Sequence, residues 1–191
     1  TVTKIFFDGK IIDVKGSGYA PDGSFYYNER EIDPKKLEKL CRIGYLCNNA
    51  KISQEGNKYS ILGDPTEGSL VVLGKKSKLD KIFDSKFSFV QELPFDSDRK
   101  MMSKIYDNLI LRKREAYTKG APDVLLAKCS HILANGKPRK ITANDRKKIL
   151  EMTDKFAKSA LRVLGFAYKK VEKLDKKDYK IGNVEAKMIF A

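Results

Sequence analysis

Between Phe87 and Lys119 the chain offers four β-like segments in quick succession, Phe87–Leu93, Met101–Tyr106, Leu109–Arg112 and Ala116–Lys119. The intervals between them are too short for a crossover helix, and parallel neighbours need a dozen or more connecting residues. Such closely spaced segments favour antiparallel neighbours in this half of the chain. An Asp107-Asn108 turn is expected inside that run. A second hairpin opens the chain, where Lys4–Val14 alternates about Asp8-Gly9, a type I′ signal. Asn135-Gly136 marks a third.

Helix start signals punctuate the strands. Asp33 precedes Pro34, with Leu37, Leu40, Cys41 and Gly44 forming one small or apolar face. Asp64-Pro65-Thr66-Glu67 reads as a cap, a proline in the first turn and a capping-box glutamate, opening a helix that stops near Gly74. Gly120-Ala-Pro122 opens a short helix. The longest runs from about Thr142 to Ser159, with Thr142 and Asp145 as capping pair and Ile149, Met152, Phe156 and Ala160 as stripe. Arg162–Tyr168 returns to a strand pattern, and Lys169–Lys180 reads as an exposed connection. Hairpins mixed with inserted helices predict an α+β fold, an antiparallel sheet covered by helices.

At 191 residues the sequence suits a single domain. No apolar run approaches the about 20 residues that span a bilayer, and Thr1–Lys4 leads into a strand rather than a signal peptide. A soluble polypeptide is expected. The net charge of +14 admits a polyanion partner, but the lysines are spread along the chain. Neither dense stretch, Lys137–Lys148 or Lys169–Lys180, interleaves aromatics with the basic residues as a single-strand groove would. A solvated lysine-rich surface is the simpler reading, with a nucleic-acid-binding module as the alternative function. Cys41, Cys47 and Cys129 form no CxxC pair and are expected as small core residues. His131 stands alone and is expected to be structural. Neither GxxxxGK[ST] nor GxGxxG occurs, and Gly16-Ser-Gly18 is only a fragment of such a loop.

Four segments carry more information: Asp64-Pro-Thr-Glu67-Gly-Ser-Leu70, Leu93-Pro-Phe95-Asp-Ser-Asp-Arg99-Lys100-Met-Met-Ser103, Thr118-Lys119-Gly120-Ala121-Pro122-Asp123, and Ala160-Leu-Arg162-Val-Leu164. In this order and spacing the chain resembles the nucleotide-binding domain of P-type cation-transporting ATPases, in the calcium-pump-like branch. The resemblance runs from Thr1 to Ala191 and implies a twisted antiparallel sheet of about seven strands flanked by helices. It also implies an ATP pocket of Thr66, Glu67, Phe95, Lys100, Lys119, Gly120 and Arg162.

Each residue type suits that task. An aromatic ring such as Phe95 stacks on adenine, Glu67 accepts from an amino group, lysines are compact cations, Arg162 offers a fork for phosphate, and Gly120 admits close approach. The sequence departs from the pattern in two places. Ser97 stands where some calcium pumps have an arginine, and Asp123 replaces the commoner glutamate.

The phosphorylated aspartate of the family, in a DKTGT motif, does not occur. The resemblance therefore implies a chain that binds ATP without hydrolysing it and has no catalytic or metal-binding residue of its own. Mg²⁺ would act only in the full-length pump. The expected partners are the phosphorylation and actuator domains of that pump, with no nucleic acid, no membrane insertion of this segment and a monomeric state.

Overall fold

The computed structural model describes residues 1–191 as two compact units, Thr1–Ser85 and Lys86–Ala191. In the first unit, strands β1 (Lys4–Phe7), β2 (Lys10–Val14), β3 (Phe25–Tyr27) and β4 (Arg30–Glu31) form a four-stranded meander in sequence order. The Asp8-Gly9 turn has both residues at positive φ, 50° and 74°, as a type I′ hairpin requires.

Asp33 caps a 3₁₀ turn, Pro34–Leu37, by accepting from the Lys35 N–H. That turn leads into α1 (Glu38–Leu46), whose Leu40, Cys41, Ile43 and Leu46 are buried. Strands β5 (Lys51–Glu55) and β6 (Lys58–Leu62), which the sequence pattern did not single out, make a separate two-stranded hairpin. They are short and mostly polar, and the only cue they offer is a brief alternation, with Ile52 paired to Ile61 and Tyr59 half-buried between exposed neighbours.

Helix α2 (Pro65–Lys76) is capped by the Asp64 carboxylate, which accepts from the Thr66 and Glu67 N–H groups at 2.8 and 3.0 Å. It runs past Gly74, the expected stop. Gly74 is buried because a Cβ there would lie 2.6 Å from Cδ2 of Tyr45 on the neighbouring helix. Its glycine serves close helix packing, not termination. α3 (Asp80–Lys86) completes this part of the chain and buries Phe83 against Tyr45, with ring centroids 5.8 Å apart.

The second unit is built on a seven-stranded sheet. Its strands are β7 (Phe87–Asp96), β8 (Met101–Asn108), β9 (Lys113–Gly120), β10 (Cys129–Ala134), β11 (Lys137–Lys140), β12 (Gly165–Val171) and β13 (Met188–Phe190), in the order β11-β10-β13-β12-β9-β8-β7. Helices α4 (Pro122–Ala127), α5 (Ala143–Lys158) and α6 (Ile181–Val184) flank it. The fold is α+β with seven strands, as expected, but the sheet is mixed. β13 enters between β12 and β10 and runs parallel to β10. The long excursion through α5 and β12 supplies the crossover that a parallel pair needs.

Three local expectations are corrected here. Leu109–Arg112 is the β8–β9 turn and not a strand. The Asn108 side chain starts the turn by accepting from the Ile110 and Leu111 N–H groups, leaving three exposed apolar residues at its tip. β12 begins at Gly165, not Arg162. α5 ends in a Schellman motif, Ala160 N–H to Ala157 O and Leu161 N–H to Phe156 O, with Ala160 at φ 56°. Ala160 is thus an exposed cap residue, while Ile149 and Phe156 are the buried part of the expected stripe.

Nor is Lys169–Lys180 simply an exposed connection. Lys169–Val171 belongs to β12, and the Tyr179 ring is buried. The Tyr179 hydroxyl accepts from Arg114 and the Leu174 N–H and donates to the Glu172 carbonyl. The Thr142–Asp145 capping box forms as expected. All three cysteines are buried thiols, and desolvation pushes Cys41 and Cys129 up to about 12. No helix is long and apolar enough to cross a membrane.

Gly74→Ala will force Tyr45 away from α2 and lower stability by about 1–3 kcal/mol, the usual cost of overpacking. Denaturant unfolding of the variant against the parent chain measures this, and helix propensity alone would have made the change stabilising.

Candidate functional site

The one aromatic side chain of the four motifs, Phe95, is 63% exposed near the end of β7. It is lifted out by a bulge. Leu93 pairs with Ser103 and Asp96 with Met101, so Pro94 and Phe95 together oppose Met102 alone. The chain then turns tightly. Asp96 Oδ1 accepts from the Asp98 and Arg99 N–H groups at 3.0 and 2.9 Å, and the Lys100 N–H reaches the Asp96 carbonyl at 2.7 Å. The Arg99 N–H is the main cause holding the Asp96 carboxyl below its usual range, reinforced by the Asp98 N–H and the Arg99 charge. Lys100 closes the turn at φ 51° with its side chain in solvent.

Register brings further motif residues to the same end of the sheet. Met101 faces Gly120 and Met102 faces Lys119 across β8–β9, and Gly120 in turn faces Gly165 on β12. Lys119 is buried at 7% exposure. The space beside Gly120 is already taken, since a Cβ there would lie 2.5 Å from the Lys100 carbonyl oxygen and 2.6 Å from Met101 Cβ. The Ala121 N–H donates to that same carbonyl at 3.0 Å. Gly120 therefore has a packing reason to lack a side chain: the β8 backbone passes directly over it. Arg162 is exposed in the segment that leads into β12, three residues before Gly165.

Phe95, Lys100, Lys119 and Gly120 thus lie at one end of one sheet in the second unit, and Arg162 lies in the segment leading into β12 at that same end. Thr66 and Glu67 belong to the first unit, in the opening turn of α2. Glu67 Oε2 accepts from the Asn49 N–H at 3.0 Å, while the Asn48 side-chain amide donates to the Glu67 carbonyl at 2.8 Å.

Beneath the Phe95 turn lies a polar cluster that the sequence reading missed. Arg99 donates from Nη1 to both oxygens of Glu185, at 2.7 and 2.5 Å, and from Nη2 to the Pro94 carbonyl at 2.7 Å. Ser103 Oγ donates to Glu185 Oε1 at 2.8 Å and shares a hydrogen bond with Thr118 Oγ1 at 2.8 Å. The signal available was a glutamate embedded between Val184 and the apolar run of Met188–Phe190. Its partner, 86 positions away, was not legible.

Comparison with known proteins matches residues 36–191 to the family described as P-type ATPase, cytoplasmic domain N. The chain belongs to that family. Among curated relatives, this N domain is 41% identical over 177 residues to a calcium-transporting ATPase of Bacillus subtilis, covering 90% of this chain and 20% of the relative. It is 35% identical to a calcium-transporting ATPase of Listeria monocytogenes, covering 80% of this chain and 17% of the relative. For a calcium-transporting ATPase of Bacillus cereus the identity is 42%, covering 76% and 15%. The N domain therefore spans a fifth or less of the length of these relatives.

Gly120→Ala will drive a methyl group into the Lys100 carbonyl, which is backbone and has little room to yield. The N domain should lose about 1–3 kcal/mol of stability, read as a lowered thermal midpoint. An unchanged midpoint would mean that β8 and β9 separate here without cost.

Proposed function

We propose that this N domain binds ATP through its adenine moiety for a calcium-transporting P-type pump. The observation that carries the reading is Phe95, a phenylalanine held 63% exposed on a bulge, where hydrophobic burial cannot account for it. A ring in that position offers a flat apolar face, and stacking with a base is worth about 1–3 kcal/mol. Lys100 extends from the same turn as a solvated cation, suited to phosphate oxygens, and Arg162 supplies a planar fork in the exposed segment that leads into β12. Lys119 and Gly120 enter through the family resemblance, as neighbours of the turn.

Phosphoryl transfer needs a metal and an in-line nucleophile near the γ-phosphate. In this proposal both reside on the pump's phosphorylation domain, to which the bound nucleotide is presented, while the actuator domain completes the cycle. The isolated chain binds as a monomer and does not turn ATP over. Calcium as the transported ion follows from the names of the relatives.

With an adenine-dominated site, AMP, ADP and ATP will bind within about tenfold of one another, a spread of roughly 1.4 kcal/mol. Mg²⁺ will change the affinity little, and the chain will release no phosphate above background. Calorimetric titration and a phosphate-release assay test this together. Binding carried mainly by the γ-phosphate and Mg²⁺ would overturn it.

Phe95→Ala will weaken ATP binding by about 1–3 kcal/mol without a matching fall in thermal stability, because the ring is exposed. Neutralising Lys176 and Lys177 together, in an exposed 3₁₀ turn, will leave affinity unchanged. If the lysine variant loses as much as Phe95→Ala, the chain is responding to bulk charge. Steep salt dependence would then support the polyanion-binding alternative.

A further inference from the structure

The Arg99–Glu185 pair is a deeply placed ionic contact of the second unit. The Glu185 side chain is 1% exposed and that of Arg99 20%. Taking such a carboxylate out of water costs several kcal/mol, and the attraction of its partner repays this only with good geometry and further hydrogen bonds. Glu185 has both. Two contacts come from one guanidinium nitrogen and one from Ser103, itself tied to Thr118 on β9. Since a buried pair of this kind contributes little net stability relative to a neutral replacement, what it supplies is geometry.

That geometry is concentrated on Phe95. The second guanidinium nitrogen of Arg99 holds the Pro94 carbonyl, immediately before Phe95. The backbone N–H of Arg99 holds the Asp96 carboxylate, immediately after it. One residue therefore grips the chain on both sides of the exposed ring and is itself moored to a fixed point. Glu185 is fixed because it follows α6 and stands three residues ahead of β13, which is paired on both edges. A bulge free to move would present the ring in many orientations, and ordering it on ligand binding would subtract from affinity.

We infer that Arg99 and Glu185 are positioning residues for nucleotide binding. Arg99, anchored on buried Glu185, holds the Pro94–Lys100 turn so that the Phe95 ring stands ready to stack. The inference rests on the proposed nucleotide reading of Phe95. Neither residue needs to touch the ligand, and their effect passes through the ring.

A double-mutant cycle on the whole chain separates this role from direct contact and from general stability. The paired variant Arg99→Gln/Glu185→Gln removes both charges and leaves no lone buried ion, so its thermal midpoint should stay near that of the parent. Its ATP affinity should fall about tenfold, within the range of losing a stacked base. Adding Phe95→Ala to it should cost no more than about twofold beyond Phe95→Ala alone, because both changes remove the same contact. Amide hydrogen exchange across Phe95–Lys100 should quicken in the paired variant while β8 and β9 keep their protection. If the paired variant proves poorly folded, the single Arg99→Lys change, which keeps charge without the fork, should still weaken ATP binding, by less than Phe95→Ala does.

Additive losses would show Arg99 contacting the nucleotide itself and overturn the inference. So would unchanged affinity in both the paired variant and Arg99→Lys alongside a normal loss in Phe95→Ala, which would leave the nucleotide reading standing. No loss in Phe95→Ala would bring down that reading, and the positioning role with it.

Discussion

Strand β9 is hydrogen-bonded along both edges, to β8 over eight residues and to β12 over seven, while Ala116, Tyr117 and Thr118 are wholly buried. A strand so enclosed cannot slip, since a one-residue shift would turn Thr118 and Tyr117 to opposite faces and break both ladders at once. Its register propagates outward. It puts Gly120 against Met101 and Gly165, Lys119 against Met102, and Thr118 beside Ser103. Through β8 it also fixes where the β7 bulge falls. The motif residues of the second unit gather at one end of the sheet because this central ladder leaves them nowhere else to be.

Three kinds of contact then divide the work around that end. Close packing sets the backbone: Gly120 under the Lys100 carbonyl and Gly165 opposite Gly120 let three strands converge without side chains between them. Polar contacts set the turn: Asp96 closes it locally and Arg99 moors it to Glu185. Apolar burial supplies cohesion, with Val90, Ile105, Ala116, Tyr179 and Val184 forming one cluster beneath the same sheet. Directional bonds specify the shape of the turn where burial is indifferent to it, and this is why an exposed phenylalanine can be held in place.

The family assignment and the proposed nucleotide role differ in what supports them. Membership comes from similarity spread over residues 36–191. The binding role comes from a few side chains whose exposure and register make chemical sense for a flat, anionic ligand. The basic surface is distributed along the chain, and the local features at Phe95 and Lys100 do not depend on it.

Much of the chain was legible from its residues because the forces involved are local. Asp8-Gly9 and Asn135-Gly136 demand positive φ, Asp64 and Thr142 offer oxygens to orphan N–H groups, and the motif order identified the fold class together with Phe95, Lys100, Lys119 and Gly120 as neighbours in kind. The misreadings arose where a distant partner overrides a local cue. Gly74 looked like a helix stop until Tyr45 packed against it, and Leu109–Arg112 looked like a strand although Asn108 turns the chain there. Lys169–Lys180 looked solvated although Tyr179 plugs into the sheet. The sequence by itself determined the secondary-structure punctuation, the α+β class and the residue types available for binding. Only the tertiary structure decided that β13 enters parallel between β10 and β12 and that Arg99 meets Glu185, because those contacts join residues whose proximity exists only once the sheet has closed around them.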